Sequence, residues 1–156
     1  MKKLLLICIL ISSTYVLFSQ YVYFGYPNSN VSLRKGDIIV VNIPSFYLTG
    51  YHFVQGPQLD NLAQFLKNND SLTFRIDIYF CLGRYNDTLW CMDISDKLKE
   101  HLCIELQNRI PHQNNYNIKS RGLENPIYNK NKDSEKSREE IIKYEYYNTR
   151  LEIIVE

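Results

Sequence analysis

The chain lacks a strong excess of either charge. It carries 18 Lys and Arg against 17 Asp and Glu, a formal net charge of +1. A protein that holds nucleic acid through its phosphates needs a clear basic excess, so this balance argues against that class. Glycine is scarce, at six residues, and no Gly-rich phosphate loop is present. Histidines number three and cysteines four. The spacings Cys81-x9-Cys91 and Cys91-x11-Cys103 match no zinc signature. His52, His101 and His112 are scattered and read as surface or packing residues. No Ser or Cys sits in a nucleophile motif with a base partner. Together these absences describe a non-enzymatic chain with no metal and no cofactor. No internal repeat is visible.

What is present begins at the N-terminus. Lys2 and Lys3 precede a mostly apolar run, Leu4 to Phe18, broken by Ser12, Ser13 and Thr14. A basic start followed by roughly 7–15 apolar residues describes a secretory signal, too short for a comfortable membrane span. Residues 1–19 are therefore expected to be a signal peptide, with Gln20 at the mature N-terminus, and residues 20–35 an N-terminal extension. Export leads to an oxidising compartment. There Cys81 and Cys91, which flank a loop, are expected to pair as a disulfide. Cys103 falls in an apolar helical pattern and reads as a small buried hydrophobe. Apolar residues make up 45% of the chain, enough for one core. Thirteen tyrosines suit the margin between core and surface but name no ligand.

The periodicity gives an alternating order of elements. Asp37 to Ile43 is a continuous β-branched run and reads as a strand covered on both faces. Leu59, Leu62, Ala63 and Leu66 form one helical face within Gln58–Lys67, after Pro57 at a helix start. Leu72, Phe74, Ile76, Ile78 and Phe80 alternate with Thr73, Arg75, Asp77 and Tyr79, the clearest strand pattern. Asp93 is expected to cap a second helix, with Asp96 in its first turn. Ile94, Leu98, Leu102 and Leu106 then recur every fourth residue and face the sheet. Pro111 stops that pattern. Tyr116–Arg121 is a weaker strand. A polar excursion follows, with a helix expected from about residue 134. Thr149–Val155 closes the chain as a strand. This order predicts an α/β two-layer sandwich, βαβαβ(α)β, with helices packed on one mixed sheet.

Residues 36–156 resemble the OmpA-like, peptidoglycan-associating domain family. The resemblance rests on Leu59-x-x-Leu62-Ala63-x-x-Leu66, on Ile94-Ser95 at the second helix, on the Gly122-to-Pro126 turn and on Asn148-Thr149-Arg150-Leu151-Glu152-Ile153. It implies a non-enzymatic envelope module, periplasmic or outer-membrane-associated, whose partner is the peptidoglycan stem peptide. In that family a loop Asp binds the ammonium of the peptide's diamino acid, and a helix Arg binds its carboxylate through a planar fork. Here the loop motif aligns with Tyr79–Leu82 and the helix Arg position falls on Leu98. Thr149 replaces the first Arg of the closing motif. The resemblance leaves Asp87, Asp93, Lys97, Asn148 and Arg150 as candidate peptidoglycan-binding residues. It also leaves an alternative: a scaffold that has lost peptidoglycan binding and instead meets another envelope protein. Each candidate has a structural role beside the functional one. Asp87 is a solvated loop charge, Asp93 a helix cap, Lys97 an exposed helix residue, and Arg150 a partner for Glu152.

Overall fold

The period-two run at residues 72–80 becomes an interior strand of the sheet, flanked on both sides. The structure is a computed structural model that describes residues 20–28, 30–42, 48–49, 52–53, 57–80, 88–126, 139 and 147–156. Its strands are β1 (Val22–Phe24), β2 (Ile38–Asn42), β3 (Leu48–Thr49), β4 (His52–Phe53), β5 (Phe74–Tyr79), β6 (Tyr116–Gly122) and β7 (Arg150–Val155). Its helices are α1 (Pro57–Asn68) and α2 (Thr88–Arg109). The main sheet has the order β1-β2-β7-β5-β6, and β3 and β4 form a separate two-stranded hairpin. β7 is antiparallel to both β2 and β5, while β1 with β2 and β5 with β6 run parallel. A parallel pair needs a long connection, and α2 supplies it between β5 and β6.

The two helices cover one face of the sheet. Leu59, Leu62, Ala63 and Leu66 of α1 meet Ile94, Leu98, Leu102 and Leu106 of α2 and the inward residues of β5 and β7 in one core. Each such side chain contributes roughly 1.5–3 kcal/mol by leaving water. Arg109 at the end of α2 donates to Asp60 of α1 at 2.9 Å and ties the helices at the rim. Among the described residues no helix is long and apolar enough to cross a membrane.

The α/β sandwich expected from the sequence is the one observed, with differences at its margins. α2 begins at Thr88, so Asp93 is inside the helix and does not cap it. Packing explains the extension. Trp90 stacks near Phe80, with ring centroids 6.0 Å apart, and Cys91 is fully buried. Tertiary packing of Trp90 and Cys91 outweighs the weaker local capping signal. Residues 22–24, within the expected extension, add a fifth strand by pairing with β2. The expected signal peptide and most of the helix expected from about residue 134 lie outside the described residues.

Candidate functional site

Two of the residues expected from the sequence, Asn148 and Arg150, lie where β5 ends, β7 begins and β6 turns away. β7 is antiparallel to β5, and its register sets Tyr79 beside Arg150 and Asp77 beside Glu152. Two carboxylates directly opposite each other repel, so cations must flank them. Arg75 and Arg121 approach Asp77 at 3.1 and 3.2 Å. Arg150 approaches Glu152 at 2.7 Å.

Arg150 is the hub. Its side chain is 2% exposed. Nε donates to Glu152 Oε1 at 2.7 Å, Nη1 to the Asn148 carbonyl at 3.5 Å and Nη2 to the Asn125 carbonyl at 3.0 Å. The guanidinium lies 3.9 Å over the Tyr79 ring, a cation–π contact strengthened by loss of water. Burial, with Glu152 and Asp77 nearby, pushes the Tyr79 phenol up to about 12, against the lowering effect of Arg150 and Arg121. Asn125 is held at a positive φ of 47°, a conformation asparagine tolerates better than most residues. That shape turns its carbonyl toward Arg150. One guanidinium thus joins the β6 turn, the entry of β7 and the end of β5.

Gly122 makes the second join. Its φ is +53°, and a Cβ there would lie 3.2 Å from both the N and Cα of Met92 in α2. Only glycine allows this approach without displacement. The Gly122 amide donates to the buried Ser95 Oγ at 3.2 Å, and its carbonyl accepts from Phe80 N at 2.9 Å. The Ile94-Ser95 pair and Gly122, distant in sequence, are one contact in space.

The remaining candidates are distributed unevenly. Asp93 and Lys97 form an exposed i,i+4 ion pair at 2.6 Å on α2. Asn148 is buried, as is Thr149. Leu98, at the helix Arg position, is fully buried in the core and faces no ligand. Asp87 and Cys81 lie outside the described residues. Cys91 is buried with its side chain in the core, and because Cys81 lies outside the described residues, so does the expected Cys81–Cys91 pairing. Cys103 is half-buried, and burial raises its thiol. Sequence reasoning missed the Asp77, Arg75 and Arg121 cluster. Its signal was present in the alternation of charged residues along β5 and β6, but their mutual distance was not.

No family model matches the sequence. No curated protein matches it either. Solved structures do match. The cell wall anchor of the T6SS from Pseudomonas aeruginosa aligns with TM-score 0.54 at 15% identity, over 76% of this chain and 79% of that one. The periplasmic domain of Helicobacter pylori MotB aligns with TM-score 0.53 at 13% identity, over 80% and 78%. A putative MotB-like protein from Desulfovibrio vulgaris aligns with TM-score 0.50 at 13% identity, over 76% and 74%. The fold is OmpA-like. Within that OmpA-like fold, the closing strand β7 occupies the centre of the sheet, between β2 and β5. Its arginine is built inward at the strand ends rather than displayed to solvent.

Proposed function

We propose that this chain is a non-enzymatic module of the cell envelope that associates with peptidoglycan. The fold carries this reading, because it is shared with a cell wall anchor and with a MotB periplasmic domain. The basic-then-apolar start supports export to the periplasm or the outer membrane's inner side. Asp93, Lys97 and Asn148 lie on the elements around the strand-end cluster, and Asp87 immediately precedes α2 in sequence.

One observation favours a second reading. Arg150 is buried with its guanidinium engaged by Glu152 and two carbonyls, and Leu98 is in the core. The clamp's helix position is therefore filled by a core leucine, and the closing-strand arginine is already engaged within the fold. In this reading the scaffold is kept, the stem-peptide clamp is lost, and the partner is another envelope protein. Co-sedimentation with purified sacculi separates the two. Saturable binding competed by the diamino-acid stem peptide supports the first. Weak binding that the peptide does not compete supports the second. Fractionation with intact-mass measurement tests the compartment, and a full-length cytoplasmic product overturns both.

A further inference from the structure

A second concavity lies at the other end of the sheet. The Phe65 ring of α1 packs on Phe74 at the start of β5, with centroids 5.5 Å apart, and Tyr26 packs on Phe65 at 5.2 Å. The strand-end cluster sits at Tyr79, five residues along β5, or roughly 17 Å away at the usual rise. Between α1 and the segment that follows β1 is a cavity of about 410 Å³. This falls in the range of about 300–1,000 Å³ common for small-ligand sites.

Its lining is unusual for this chain. Charged residues make up 22% of the sequence, yet none of the described residues lining the cavity is charged. Asn61, Gln64 and Asn68 line it from α1. Their spacing of three and four places them on one helical stripe. Asn28 contributes a further amide, and Tyr26 and Phe65 supply aromatic surface. Asparagine is a weak helix former, so helix stability does not call for it twice on an exposed stripe. Gln64 Nε2 donates to Asn68 Oδ1 at 2.6 Å. Each side chain keeps a second amide atom, an acceptor on Gln64 and a donor on Asn68, and both residues line the cavity. The Tyr26 hydroxyl oxygen is buried with no hydrogen-bond partner, and burial raises its phenol well above the ordinary value.

We propose that this cleft is a binding site for a neutral saccharide. Side-chain amides each present a donor and an acceptor at fixed separation. Vicinal sugar hydroxyls, which also donate and accept, match that pairing. Aromatic rings cover the C–H face of a pyranose, which is apolar and needs no charge. A charged ligand finds no counter-ion in the wall, and burying an ion without one is costly. The proposal is separate from the stem-peptide clamp, because it concerns another end of the sheet and sugar hydroxyls rather than the peptide's charged groups.

The experiment is a titration of the full mature chain followed by amide NMR. The probes are a neutral N-acetylglucosamine tetramer, a neutral glucose tetramer and a sulfated oligosaccharide. Saturable shifts along Asn61–Asn69 and Tyr26–Leu33 are expected with a neutral probe and not with the sulfated one. Preference for the acetamido sugar assigns the source to an amino-sugar polymer, and equal binding assigns it to neutral glucosides at large. The variant Asn61→Ala with Gln64→Ala keeps good helix formers on an exposed stripe, so it should fold. Loss of two hydrogen bonds should weaken binding about tenfold or more. No saturable shift with either neutral probe overturns the proposal. So does tighter binding of the sulfated probe, or neutral binding that the double variant leaves unchanged. Sacculus binding competed by the diamino-acid stem peptide bears on the clamp, whereas sacculus binding competed only by the neutral tetramer bears on the cleft.

Discussion

Replacing Arg150 with methionine tests whether this residue is structure or ligand. Methionine keeps most of the volume and removes the fork. Glu152 then loses its cation while remaining opposite Asp77 across the β5–β7 pair. The Asn125 and Asn148 carbonyls lose their donor. Hydrogen bonds to charged groups are worth about 1.5–3 kcal/mol each, so three would sum to more than is realistic. The Glu152 side chain is 15% exposed, and water can partly repair its loss. Breaking a buried ion pair on one side typically costs about 3–5 kcal/mol, and that is the expected value here. It is a large share of a domain stability of about 5–15 kcal/mol. Urea unfolding followed by the fluorescence of Trp90, the single tryptophan, reads it directly. With a slope of about 1–3 kcal/mol per molar urea, the midpoint should fall by roughly 1–5 M. Arg150→Lys should fall between, because the charge stays and the fork does not. A cycle with Glu152→Gln should show coupling of at least about 0.5 kcal/mol. A loss below about 1 kcal/mol for Arg150→Met, with sacculus binding abolished, would refute the hub and make Arg150 a ligand residue.

Three further outcomes follow from the same geometry. Leu98→Arg places an unpaired charge in the core, and should cost more than the roughly 2–5 kcal/mol of a Leu→Ala change; a folded variant of unchanged urea midpoint would show that α2 is rotated. Gly122→Ala should lose about 2 kcal/mol or more, from about 1–2 kcal/mol for the left-handed backbone plus the contact at 3.2 Å to Met92; thermal melting that shifts by less than a degree would mean α2 and β6 lie further apart. Tyr79 titrates at about 12 in the fold against about 10 unfolded. Between these values the unfolded chain releases the proton and the folded chain keeps it, so stability falls as pH rises through that window. Tyr79→Phe should flatten that part of the pH profile, and an unchanged profile would place the phenol in solvent.

Sequence alone determined the frame of this protein. The period of two at residues 72–80 and the period of four at Ile94–Leu106 each required one buried face, so strand and helix followed from where apolar residues fall. Their order limited the architecture to helices on one mixed sheet. Sequence also marked Gly122, Asn148 and Arg150 as unusual. It did not say which way they point, and periodicity could not reveal that Arg150 turns inward. That outcome depends on the antiparallel register of β5 with β7, which sets Tyr79 and Glu152 around one guanidinium. The start of α2 at Thr88 and the pairing of β1 with β2 were likewise decided by packing partners distant in the chain. The same holds for the amide-lined cleft. Asn61, Gln64 and Asn68 read as an ordinary exposed helix face until Tyr26 and its segment close over Phe65. Local pattern selects elements because burial is a property of faces. Sites are selected by which faces meet, and only the tertiary structure brings those together.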